Sequence, residues 1–216
     1  MPGPSVAGVY GGWAVAGAVV GLLAGTLLRP TARRLATTGG TAPRLLALAP
    51  TTAAVLALLA GHYRARPESF AFGWLAVAGV ALAFVDVAVQ RLPDRLVLPA
   101  YPAVLAGLTV SAMATGEHGR LLRAVAGGVV LTGCYLLLAL ARPGQLGLGD
   151  VKLAGVIGMA LCWIGWPALL LGSFLAFATV AVAGLGLLAT RRAALTSSLA
   201  FGPFMLGSAL LVILTG

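Results

Sequence analysis

An all-α fold, a polytopic transmembrane helix bundle of six to eight spans in a single domain over residues 1–216, is predicted by three features of the sequence. Hydrophobic residues make up 60% of the chain and charged residues only 9%, where a soluble domain carries about 25% charge. Mean hydropathy is +1.04. The apolar residues fall in repeated blocks of roughly 18 to 24, the length that crosses about 30 Å of hydrocarbon, and short clusters of Arg, Pro and Gly separate them.

In chain order the blocks place spans at 6–28, 45–62, 70–90, 97–116, 121–141, 151–166, 168–190 and 200–215. The first has no Lys or Arg before Arg29, so it lacks the basic flank of a secretory signal and reads as a retained helix. Gly17, Gly21 and Gly25 form a small-xxx-small stripe on it, which serves either internal packing, the favoured reading, or a homodimer. The sixth and eighth blocks are short, which sets the lower limit of six spans. Trp163 and Trp166 fall at the outer end of the sixth, as in an aromatic belt. Cys134 and Cys162 lie inside apolar blocks without CxxC spacing; they read as small packing residues, with no disulfide or zinc site.

The net charge of +9 would suggest nucleic acid in a soluble protein. Here the charges sit in short loops, where they set topology and meet lipid headgroups, so no nucleic acid is implied. One side collects ten basic residues: Arg29, Arg33, Arg34, Arg44, Arg91, Arg95, Arg142, Lys152, Arg191 and Arg192. The other collects four, Arg64, Arg66, Arg120 and Arg123. The positive-inside rule puts the richer side in the cytoplasm, and Asp86 and Asp150 both fall at that face.

The chain has five acids. Glu68 and Glu117, like His62 and His118, read as loop or interfacial groups. Asp94, in Leu-Pro-Asp-Arg, reads as the N-cap of the fourth span. Asp86 follows the apolar run Trp74–Val85 and lies about one turn inside the end of its span, where an ionisable group is costly and reads as functional, against an Arg-paired interfacial acid. Asp150 ends Gly147-Leu148-Gly149-Asp150, whose glycines allow close approach of another helix or a peptide; helix capping is its ordinary alternative. Two carboxyls a few ångströms apart cannot both ionise readily. One activates water and the other polarises the scissile carbonyl, with no metal or other cofactor. Helix dipoles suggest Asp150 as base, near an N-terminus, and Asp86 as acid, near a C-terminus.

Phe84-Val85-Asp86, Arg91-Leu92-Pro93-Asp94-Arg95-Leu96-Val97-Leu98-Pro99 and Gly147-Leu148-Gly149-Asp150-Val151-Lys152-Leu153 resemble the two signature segments of type IV prepilin peptidases, relatives of other GxGD intramembrane aspartic proteases. Phe201-Gly202-Pro203-Phe204-Met205-Leu206-Gly207 resembles that family's C-terminal segment. The likeness covers about residues 70–216, the expected catalytic core. It implies Asp86 and Asp150 as the catalytic pair, with Pro93, Asp94, Gly147, Gly149 and Lys152 as supporting motif residues. It also implies removal of the basic leader of prepilins or pseudopilins, at the cytoplasmic face of a bacterial inner membrane. Many such enzymes carry a cytoplasmic domain with paired CxxC motifs between the first two spans, associated with N-methylation. Here only Arg29 to Arg44 fills that position, without cysteine, so the expectation is a peptidase without methyltransferase activity. Lys152 either stabilises a carboxylate or snorkels to headgroups. Arg33, Arg34, Arg191 and Arg192 read as topology and lipid contacts. A proton- or ion-coupled transporter is the alternative, but it would place its acids near the midplane and show an internal repeat.

Overall fold

A computed structural model describes residues 6–36, 46–90, 92–142, 146–190 and 200–216. Arg44, Arg91, Arg191 and Arg192 of the charge count lie outside these residues. The described elements are helices: α1 Val6–Ala36, α2 Leu48–Tyr63, α3 Ser69–Val89, α4 Asp94–Thr115, α5 His118–Ala141, α6 Leu148–Ile164, α7 Trp166–Ala189 and α8 Gly202–Thr215. Each predicted span thus corresponds to a helix. Residues 12–34 of α1, together with α3, α4, α5 and α7, are long and apolar enough to cross a membrane, while α2 and α8 are shorter apolar helices. Large apolar side chains also cover the outside, with Leu27, Met113 and Leu122 more than 70% exposed. A surface of this kind suits a hydrocarbon solvent, in which helices satisfy their own backbone groups.

The 17-residue α6 is the axis of the bundle, with twelve residues buried from Val151 to Trp163. Glycine brings α5 against it. A Cβ on Gly158 would lie 2.6 Å from the Gly127 carbonyl oxygen, and one on Gly128 would lie 2.9 Å from that of Gly155. These backbones touch directly, which only residues without side chains permit. The stripe on α1 works the same way. A Cβ on Gly21 or Gly25 would come within 2.5 Å of the Cα of Ala53 or Ala49 on α2. Internal packing therefore uses Gly17, Gly21 and Gly25, and the homodimer expected as the other reading has no access to that face.

Three further expectations change. Trp163 is buried at 2% exposure in the core rather than in an interfacial belt, while Trp166 is exposed. Cys162 is buried but Cys134 is exposed. Asp94 is not an N-cap: Pro93 holds that position with extended backbone and no side-chain cap bond.

Tight turns bring the helix ends that matter to one end of the bundle. Gln90 closes α3 in the left-handed conformation (φ 52°), its N–H donating to the Asp86 carbonyl at 2.7 Å. Leu92 and Pro93 then lead straight into α4. At the other end of α6, Arg123 of α5 donates from Nε to the Cys162 carbonyl at 2.7 Å and from Nη2 to those of Trp163 and Ile164 at 2.8 and 3.2 Å. A cation on the last carbonyls of a helix satisfies their lone pairs and complements the dipole.

Candidate active site

Asp86 lies in the last turn of α3 and is 4% exposed. Its Oδ2 accepts the backbone N–H of Gly202, in the first turn of α8, at 3.0 Å. A Cβ at Gly202 would lie 2.8 Å from the same oxygen, so the close approach depends on glycine. Asp86 thus sits at the C-terminus of α3 and the N-terminus of α8 at once. Asp150 is the third residue of α6, and the Gly147 N–H bonds back to its carboxylate in the manner of the return half of a capping box. Each acid is held by one backbone N–H at a helix N-terminus, where negative charge is favoured. Asp86 meets two opposed dipoles where Asp150 meets one favourable end, so the dipole difference expected to separate a base from an acid is reduced.

The two carboxyls come within electrostatic reach of one another. Leu92 fixes this convergence. A Cβ on Gly149 would lie 2.7 Å from the Leu92 Cβ, and one on Gly202 would lie 3.5 Å from its Cδ2. One side chain from the α3–α4 turn is therefore packed against the starts of both α6 and α8. Gly149 serves this contact, while Gly147 adopts an extended conformation at the N-cap.

Lys152 pairs with Asp94, Nζ to Oδ1 at 2.7 Å, so it neutralises a motif carboxylate other than the candidate pair. Both partners are around half exposed, so the pair registers α4 against α6 more than it stabilises either. Glu117 pairs with Arg120 at 2.9 Å as a surface i,i+3 contact, and Glu68 accepts the Ser111 hydroxyl at 3.2 Å. Among the described residues no three His, Cys, Asp or Glu side chains cluster closely enough to hold a metal ion.

Sequence reasoning passed over several contributors. Tyr101 of α4 donates its hydroxyl to the Lys152 carbonyl at 2.6 Å, in space left open by Gly155. Tyr135 of α5, 2% exposed, lies within electrostatic reach of Asp150. Its ring packs on Phe177 and Phe201 at centroid distances of 5.6 and 6.0 Å. Phe201 adjoins Gly202, so this aromatic cluster positions the start of α8. The signals available in sequence were only a tyrosine in each of two apolar helices.

The sequence model of the type IV leader peptidase family matches residues 70–185, over half of the 216-residue chain. Among curated relatives, a prepilin leader peptidase/N-methyltransferase of Aeromonas salmonicida (strain A449) is 32% identical over 128 residues, 58% of this chain and 42% of that protein. One of Burkholderia pseudomallei (strain K96243) is 36% identical over 140 residues, 62% of this chain and 42% of its own length. One of Pseudomonas putida is 31% identical over 164 residues, 74% and 54% respectively. The chain thus spans roughly half the length of these relatives. No solved structure gives a match.

Proposed function

The chain belongs to the type IV leader peptidase family, and from that membership and the site geometry we propose that it is a membrane-embedded aspartic endopeptidase that removes the leader of prepilins or pseudopilins. The observation that carries this reading is the convergence of Asp86 and Asp150, acids from the ends of α3 and α6, each held by a backbone N–H. Between them the two carboxyls carry one proton. The ionised member takes a proton from the attacking water while the protonated member gives its own to the scissile carbonyl. The first then passes its new proton to the leaving amine, and the second takes one back from the tetrahedral hydroxyl as the product carboxyl forms, so the pair again shares one proton. The backbone donors of Gly202 and Gly147 keep the oxygens aimed as the proton moves between them.

The proposed setting is the inner membrane of a bacterium with the acids at the cytoplasmic face, supported by the ten-to-four distribution of basic residues. Residues from about 70 to 216 form the proposed catalytic core of a single domain. Trimming without N-methylation is supported by a sequence whose two cysteines, Cys134 and Cys162, form no CxxC pair. The test is cleavage of a tagged prepilin from the same genome, co-expressed with wild type, Asp86→Asn or Asp150→Asn at matched membrane abundance. Wild type is expected to trim the leader and both variants to fail. Normal cleavage by either variant retires the dyad and returns attention to a proton- or ion-coupled transporter.

A further inference from the structure

In the half of the bundle remote from the two carboxyls, α1 and α3 stand apart over α2 and leave an open groove of about 440 Å³. Gly17 sets its floor. A Cβ there would lie 2.5 Å from the Leu56 carbonyl oxygen, so α1 rests directly on α2, whose Leu56, Leu59 and Ala60 line the groove. One wall runs along α1 from Trp13 to Ala24, the other along α3 from Ser69 to Val77. Ser69 opens α3 and Asp86 lies in its last turn, so the groove is a feature separate from the candidate site. At about 1.5 Å per residue the α1 wall is roughly 17 Å long. One leaflet of a hydrocarbon core about 30 Å thick is roughly 15 Å deep. A second spanning helix would need twice this length, whereas an acyl chain ends with its leaflet.

The groove ends in charge of one sign. Arg64 lines it, and Arg66 stands exposed two residues on, its guanidinium 5.7 Å from the Tyr63 ring centroid. Both lie in the turn between two apolar helices, where a span meets the headgroups. Arg64 adopts φ 52°, a conformation that favours glycine and strains an arginine. Its carbonyl accepts the Ser69 hydroxyl at 3.1 Å, which closes the turn. Among the described residues lining the groove there is no Asp or Glu. The one acid of the turn, Glu68, accepts the Ser111 hydroxyl of α4 at 3.2 Å. From a cleft one leaflet deep that ends at two arginines, we infer that the groove holds an acyl chain of an anionic phospholipid, with its phosphate on Arg64 and Arg66. The apolar walls, with Trp13 on one and Trp74 on the other, hold the chain, and the arginines choose the headgroup. A zwitterionic headgroup would bring its own cation against two guanidiniums, so a net-negative one is preferred.

The experiment uses the full chain in phosphatidylcholine nanodiscs containing a small fraction of phosphatidylglycerol with a photoreactive diazirine in its acyl chain, or the same probe built on phosphatidylcholine. Peptide mass spectrometry maps the adducts. The phosphatidylglycerol probe is expected to label Val20 and Phe70 in the groove roughly fivefold more than Leu170 and Phe174, which are at least as exposed on α7. Arg64→Gln with Arg66→Gln is expected to lower that ratio to the one the phosphatidylcholine probe gives, and Arg64→Lys with Arg66→Lys to keep most of it. Arg120→Gln, beside the α4–α5 turn at the same end of the bundle, is expected to leave it unchanged. Gly73→Leu tests the chain rather than the headgroup. A Cβ at Gly73 would lie 3.7 Å from the Leu56 Cδ2, an ordinary contact, so the longer side chain enters the groove and is expected to lower labelling there by both probes. Wild type alone is decisive for the site, since equal labelling of the groove and α7 overturns it. Enrichment that is the same for both probes, or unmoved in the Gln pair, overturns the anionic headgroup. Cleavage is not the readout, so the outcome is independent of the peptidase reading.

Discussion

The backbone N–H of Gly202 donates to Oδ2 of Asp86 at 3.0 Å across 116 positions of chain. This bond ties the last described helix to the acid of the first signature segment, and gives the Phe-Gly-Pro-Phe stretch a physical task. The glycine supplies the donor, and Pro203 occupies the first turn of α8, where its missing N–H costs nothing.

Gly202→Ala is therefore expected to abolish most cleavage while leaving the protein in the membrane. The new methyl would lie 2.8 Å from the carboxylate oxygen, so the acid or the helix start has to shift. Losing a hydrogen bond to a charged group costs about 1.5–3 kcal/mol, which as a barrier is a rate loss of roughly 10- to 150-fold. Cleavage rate at matched abundance checks it. Unchanged activity would show that the bond does not hold Asp86 in its working position.

Much of this was legible in the sequence, for reasons that differ from residue to residue. Block length gave a helix for every span because hydrocarbon imposes a fixed crossing length. Asp86 stood out because an acid one turn inside an apolar run is expensive, and the structure buries it. What depends on a neighbour in space was not legible. The dipole of α3 is visible in sequence, but the opposing N-terminus of α8 beside Asp86 is not. Asp94 looked like a cap by position, yet Lys152, on α6, takes its carboxylate. Gly127, Gly128, Gly155 and Gly158 carried the same small-residue signal as the α1 stripe; in a chain with 30 glycines their pairing shows only when α5 and α6 are seen face to face.

Tyr101→Phe tests whether α4 positions the turn that carries Asp150. The ring stays and only the hydroxyl bonded to the Lys152 carbonyl is lost. The expected result is a kcat reduced about three- to tenfold, in line with a neutral hydrogen bond worth about 0.5–1.5 kcal/mol, with KM unchanged. A purely structural bond would instead lower the melting temperature and leave kcat alone.

Two glycine substitutions should separate packing from propensity. Gly158→Ala puts a methyl 2.6 Å from the Gly127 carbonyl, which forces the α5 and α6 backbones apart at an expected cost of about 1–3 kcal/mol. Gly133→Ala, on α5 with nothing within 4 Å of the new Cβ, should be neutral or stabilising by up to about 1 kcal/mol, as for an exposed helical glycine. Thermal unfolding in detergent reads both, and equal effects would argue against direct backbone contact between α5 and α6.

Arg123→Lys is the most informative change at the far end of α6. The guanidinium reaches three carbonyls, those of Cys162, Trp163 and Ile164, through two nitrogens in fixed relation. An ammonium keeps the charge but is a point donor without the planar fork. If charge against the helix dipole is what stabilises this end, Arg123→Lys behaves like wild type and Arg123→Gln loses about 0.3–1 kcal/mol. If the fork is what matters, Lys and Gln both fall by a similar, larger amount, because carbonyls are left without a donor. The second outcome is expected, since both Nε and Nη2 are engaged and the site is only partly exposed. Melting temperatures of the two variants side by side decide it.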